Sequence, residues 1–271
     1  MRYLITLLTF ITYIYAKPIV AVSIPPQKYI IDSISKGLVE SMVIVEPGNS
    51  PHTYEPKPSQ MVKLSKAKAY LAIGVEFERA WLPKFTQQNS KLKVFYVDKN
   101  ITKISINHNL EIEDDPHIWL NSNNLKEIAK STTKALISID PQNREIYLNN
   151  LKEFIVKIDK NSKEIESILK DVEPRVFLIF HPSWGYFAKE YNLKQIAVEI
   201  SGKEPTPKEL IAVLNLAKKY RVKTIFVQPE FSKKSANLIA KELNIHVKEL
   251  TPLKYNILDN MLNFAKMLKG R

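Results

Sequence analysis

The sequence predicts an α/β protein of two lobes, each a mostly parallel sheet covered by helices, joined by one long helix. Three observations carry that expectation. Short β-branched or aromatic runs alternate with amphipathic stretches over the first hundred residues or so, and the same alternation begins again at Arg175. Between Ser122 and Asp171 there is no strand pattern, only helical periodicity. Strand–helix alternation argues for parallel sheets with helical layers, and a long helical stretch between two such series argues for a connecting helix.

The N-terminus comes first. Met1–Arg2 supplies a positive start, Tyr3 to Tyr15 is uncharged, and the small residue Ala16 precedes Lys17–Pro18. This is the order of a secretory signal. The run is shorter than the roughly 20 residues that span a bilayer, so cleavage after Ala16 is expected, giving a soluble periplasmic product. A retained anchor is the other reading, because Ile14 is large for its place. Candidate strands then fall at Ile19–Ser23, Met42–Val45, Ala69–Ile73 and Val94–Val97, with helices such as Gln27–Lys36 and Ser59–Lys66 between them. Asp98 opens an irregular polar stretch running to Asp115. Pro141 is expected to start a fresh helix with Asp140 as its N-cap. Leu148, Leu151, Ile155, Ile158, Ile165 and Leu169 recur along it at helical spacing. Strands at Val176–Phe180, Gln195–Val198, Thr224–Val227 and His246–Glu249 follow, separated by helices at Trp184–Tyr191, Pro207–Tyr220 and Ser232–Leu243, and Asn256–Leu268 closes the chain. The expected division is a signal peptide at 1–16, an N-terminal lobe at 17–140, a linking helix at 141–172 and a C-terminal lobe at 173–271.

Composition removes several functions. The formal charge of +12 suggests nucleic acid. The lysines, however, are scattered through amphipathic segments such as LKEFIVKIDKNSKEIESILK, which a solvated helix surface explains. No nucleic-acid partner is expected. With six glycines, the closest pair at 37 and 48, neither a phosphate-cradling loop nor a GxSxG elbow can be written. The chain has no Cys, which excludes thiolate zinc sites and a cysteine-linked lipid anchor and leaves His, Asp, Glu or water for any metal.

Three of the five histidines share a setting. His52 lies in PHTYEP beyond a strand and a turn, His117 in DDPHIWL after the polar stretch, and His181 in FHPSWG at the end of a strand. Each stands beside a Pro that stiffens the backbone, and at least two lie where open α/β sheets place ligands. Taken by themselves these residues leave two readings open: structural histidines, or a three-imidazole metal site.

The succession PHTYEPKPSQ, DPHIWLN, FHPSWGYFAKEYNLKQIAVE, SGKEPTPKEL and FVQPEFSKKSA resembles the substrate-binding subunits of bacterial zinc and manganese ABC importers, in order and through the whole chain after the signal. The resemblance implies a helix-linked, two-lobed fold with metal held between the lobes. His52 and His117 match the first-lobe ligands and His181 the second-lobe one. It implies Zn(II) as transported ligand, a membrane permease of an ABC importer as partner, a monomer, and no enzymatic role. Imidazole at the third position is similar to the zinc branch, where manganese members often carry a carboxylate. A Mn(II) or Fe(II) carrier of the same fold is the alternative, and a three-histidine zinc hydrolase the more distant one.

Two departures stand out. The loop before the second ligand, Asn107 to Asp115, is short and holds one histidine, His108. Thr251-Pro252-Leu253 stands where some members carry Asp-Pro-Leu, and a neutral hydroxyl is a poor zinc ligand. A water is therefore expected at the fourth position, ahead of the acidic segment Glu111–Asp115, whose Asp114 and Asp115 are also placed to accept the other imidazole proton of His117. Glu199 and Glu204 read as helix caps, Glu230 as a helix start, His246 as a strand residue, and Trp119 and Trp184 as packing near the cleft.

Overall fold

The computed structural model describes residues 16–108, 111–199, 205–231 and 233–270; the expected signal run at 1–15, and Glu204, lie outside them. The first lobe alternates β1 (Ile19–Val22), α1 (Pro25–Ser35), β2 (Glu40–Val43), α2 (Pro58–Leu64), β3 (Ala69–Ala72), α3 (Glu76–Gln88) and β4 (Lys93–Tyr96). Its strands form a parallel sheet ordered β2-β1-β3-β4. The second lobe runs β7 (Val176–Ile179), α6 (Gly185–Glu190), β8 (Lys194–Ala197), α7 (Pro207–Lys219), β9 (Thr224–Val227), α8 (Lys233–Leu243), β10 (His246–Glu249) and α9 (Ile257–Lys269). It too is a parallel sheet, ordered β10-β9-β7-β8. Each sheet thus has its second strand outside its first, and its third and fourth on the other side. The order turns back between the first and third strands, and the loops leaving their C-terminal ends open a crevice there.

The strands fall within two residues of expectation. Three of the four central strands, β3, β7 and β9, are buried along their full length, which is why they read as continuous apolar runs. The helix α3 is not singled out by the sequence pattern, because Pro83 stands inside it and forfeits a helical hydrogen bond. An aromatic face compensates: Phe77, Trp81 and Phe85 stack at centroid separations of 6.3 and 6.1 Å. The polar stretch after Asp98 is not wholly irregular. It contains an antiparallel ribbon of β5 (Ser105–His108) and β6 (Glu111–Asp114), paired from Ser105 with Asp114 to His108 with Glu111. Backbone groups pair across such a ribbon even where the strands are mostly polar.

Between the lobes come α4 (Ser122–Ile139) and α5 (Arg144–Leu169). The long helix starts at Arg144, after a 3-10 turn at Pro141–Asn143, and not at Pro141. Asp140 does not cap it; its carboxylate instead accepts hydrogen bonds from the Asn143 amide and the Tyr147 hydroxyl. At 26 residues, α5 is about 39 Å long at ~1.5 Å per residue. Its buried face is Tyr147, Asn150, Phe154, Ile158, Asn161, Ile165 and Leu169, one step round from the expected Leu148, Leu151 and Ile155, which are half-buried. Two asparagines on that face fasten the lobes. Asn150 Nδ2 donates to Ile34 C=O of α1 at 2.8 Å, and Asn161 Nδ2 donates to Leu258 C=O of α9 at 3.0 Å. One apolar core runs from β1 through α4 and α5 to Phe177, Phe226 and Phe264, and a second, smaller one lies between the outer face of the second sheet and α7 and α8.

Candidate metal centre

His52 is carried by the long loop from β2 to α2. Gly48, at φ +82°, makes the left-handed turn in that loop, and buried Tyr54 anchors it by donating to Gln60 Oε1 at 3.0 Å. His117 leaves a local turn in which Asp115 Oδ1 accepts its backbone N–H at 2.9 Å, an Asx-turn that fixes the backbone before α4. His181 follows β7, and the Gln228 side chain clamps its backbone, accepting from the N–H at 3.2 Å and donating to the C=O at 2.8 Å. Phe231 stacks on the His181 ring, with centroids 4.8 Å apart and planes 18° apart.

The three rings meet. The His181 centroid is 5.5 Å from that of His52 and 5.4 Å from that of His117. Around a tetrahedral zinc with Zn–N of about 2.0–2.1 Å, imidazole centroids stand roughly 5.2 Å apart. The observed spacing is slightly wider, and among the described residues no three His, Asp or Glu side chains are already closed into a ligand cluster. Closure needs a small ring shift, which His52, with its side chain 35 % exposed against 8 % for His117 and 11 % for His181, is freest to make.

Each ring has its own carboxylate. His52 Nδ1 lies 2.7 Å from Glu76 Oε2, His117 Nδ1 lies 2.8 Å from Asp115 Oδ1, and His181 Nδ1 lies 2.9 Å from Glu199 Oε2. An ionised carboxylate only accepts, so Nδ1 carries the proton and Nε2 is left with its lone pair free for a metal. Burial pushes the His181 imidazole below its ordinary pKa. The bond to Glu199 opposes that shift, while the neighbouring His117 and His52 add to it. The neutral, ligating form is therefore favoured.

Sequence reasoning places Asp115 correctly beside His117. It misses Glu76 and misassigns Glu199, which caps no helix but holds His181 from 18 positions away. Glu230 also differs from expectation, since it lines the same pocket as the three histidines; burial raises its pKa. Trp119 lines the pocket and donates its indole N–H to Pro252 C=O at 2.8 Å, while Trp184 is buried against Phe187 and Phe264. His246 is exposed at the start of β10, and His108 ends β5. The pocket has a volume of ≈ 30 Å³, which suits an ion with a water and is far below the ~300 Å³ of small-molecule sites.

Two parallel-sheet lobes, a helix fastened to both and a small pocket between them lined by three histidines define a two-lobed solute-binding protein. Over residues 20–270 the chain matches the family model described as ZnuA, zinc-uptake complex component A periplasmic, and it belongs to that family. It is similar to the high-affinity zinc uptake system protein ZnuA of Yersinia pestis, 26 % identical over 288 residues covering 94 % of this chain and 90 % of that protein. It is likewise similar to the manganese ABC transporter substrate-binding lipoprotein PsaA of Streptococcus anginosus, 28 % identical over 233 residues covering 80 % and 75 %. The crystal structure of a ZnuA deletion mutant with zinc bound superposes with a TM-score of 0.89 at 38 % identity, over 93 % of this chain and 97 % of that one.

Proposed function

We infer that this protein captures a divalent transition cation, Zn(II) foremost, with His52, His117 and His181, and delivers it to the membrane permease of an ABC importer. Residues 17–140 and 173–271 act as the lobes enclosing the ion, with 141–172 joining them. One observation carries the reading: three histidines line one ion-sized pocket, and each donates its Nδ1–H to a separate carboxylate. That arrangement fixes ring orientation and tautomer and raises the basicity of the ligating nitrogen. The small volume of this pocket supports reading the chain as a carrier and not as a hydrolase. It works as a monomer in the periplasm, after export directed by residues 1–16, and no helix among the described residues is long and apolar enough to cross a membrane. The manganese-named relative keeps Mn(II) as the second cargo.

A native mass spectrum of the purified protein tests identity and stoichiometry, with one zinc per chain expected. Alanine at His52, His117 or His181 should weaken zinc binding by orders of magnitude and leave the fold intact, whereas His246→Ala should change nothing. Normal zinc binding by His181→Ala would overturn the inter-lobe site.

A further inference from the structure

Three imidazoles leave a tetrahedral cation one ligand short. The candidate from sequence comparison, Thr251, is not on the pocket wall; its hydroxyl accepts the Leu253 N–H at 3.0 Å and points its proton at Glu230 Oε1, 3.5 Å away. The acidic segment Glu111–Asp114 forms a strand of the ribbon, and Asp115 is held against His117.

The carboxylates divide unequally. Asp115 and Glu199 hold the rings of His117 and His181. Two carboxylates line the pocket itself, Glu76 and Glu230, and Glu76 is bonded to His52. Glu230 is left over. Among the described residues no lysine or arginine pairs with it; its carboxylate takes the long contact from Thr251 and a hydrogen bond from its own backbone N–H. It leaves the C-terminal end of β9, next to β7, whose own end carries His181, and Phe231, its neighbour in sequence, is stacked on the His181 ring. A half-buried carboxylate facing an ion pocket with no cationic partner is expensive unless a cation completes it.

We propose that Glu230 is the fourth protein ligand of the bound cation, replacing the expected water and moving the carboxylate from the position of Thr251 to the loop after β9. The proposal rests on the three-histidine reading above. It gives a donor set of three nitrogens and one anionic oxygen, which lowers the net charge of the bound ion by one and admits Mn(II) more readily than three nitrogens and a water do. Thr251 then serves as a positioning residue for that carboxylate.

The test compares wild type with Glu230→Gln, which keeps the shape and the oxygen acceptor for Thr251 but not the charge. Zinc affinity is measured by competition with a chromogenic chelator, and coordination by the visible spectrum of the Co(II)-substituted protein against pH. Glu230→Gln should bind zinc at least about tenfold more weakly, the lower end of what loss of an outer carboxylate costs. It should also gain a spectral transition near pH ~7, where water on such a centre ionises; the wild type should show none. Equal affinities, or the same transition in both proteins, would overturn the proposal in favour of a water ligand. Weaker binding with no new transition would overturn it too, reducing Glu230 to a neighbour that shapes the pocket. His181→Ala separates the two readings: if it retains zinc, the three-histidine site fails whatever Glu230→Gln does.

Discussion

Gly185 tests the geometry from outside the pocket. It is the first residue of α6, and a Cβ placed on it would sit 2.8 Å from Asp115 Oδ2 and 3.3 Å from Ile104 Cδ1. Ordinary contact begins about 0.6 Å further out, so in Gly185→Ala the carboxylate must move by roughly that amount. Moving is not free here, because Asp115 Oδ1 already accepts both the backbone N–H of His117 at 2.9 Å and its Nδ1 at 2.8 Å. Lengthening the ring bond by about 0.5 Å takes it beyond good hydrogen-bond geometry. Losing the outer partner of a metal-binding histidine costs about 10–100-fold in affinity, or about 1.4–2.8 kcal/mol. Alanine is also the better helix former, by up to ~1 kcal/mol, which offsets the strain in the apo protein. The expected result is an apo melting temperature close to wild type with zinc affinity at least about tenfold lower, read by calorimetry and chelator competition. Unchanged affinity would refute the argument that Asp115 is rigidly held on behalf of His117.

Acid and the two lobe-fastening asparagines offer further tests. His181 titrates lower in the folded protein than its unfolded value near ~6.5, so below that pH the unfolded chain holds more protons and the apo fold loses stability as pH falls. Zinc retention should fall in the same direction, over roughly pH 4–6; equal affinity in neutral and strongly acidic buffer would rule out imidazole ligands. Asn150→Ala and Asn161→Ala each remove a buried bond to a backbone carbonyl and should cost about 1–3 kcal/mol in urea unfolding; no change in either would show that these asparagines do not fasten the lobes.

Much of the fold was legible because the central strands are buried on both faces, so runs such as Val176–Ile179 and Thr224–Val227 are apolar throughout. Where helix-breaking chemistry sits inside an element, as Pro83 does in α3, the local signal fails and tertiary packing decides. The polar ribbon fails the same way, being held by backbone pairing that composition does not register. Around the pocket, the histidines stand at proline-flanked junctions in the sequence, which by themselves left a structural role and a metal site both open. Their carboxylates carry no such signal, except Asp115, two residues from its partner. Glu76 and Glu199 lie 24 and 18 positions from the rings they hold, and Glu230 reaches the pocket because β9 runs beside β7. Pairings of that kind come from strand order, and no window of sequence contains them.

The division of the apolar core has a consequence for how the molecule opens. The larger cluster joins the first sheet, α4, α5, α9 and the inner face of the second sheet, and should unfold as one cooperative unit. The α7–α8 layer stands on its own thin cluster, to which α7 gives Val213 and Ala217 and α8 gives Ala236, Ile239 and Ala240 as buried residues. Partial openings should concentrate there, since sub-global unfolding follows the sparsest burial. The loop bearing Glu230 and Phe231 leads directly into α8. A brief loosening of this layer would therefore slacken one wall of the pocket while the rest of the protein stays folded, giving a bound ion an exit that does not require the two halves to part.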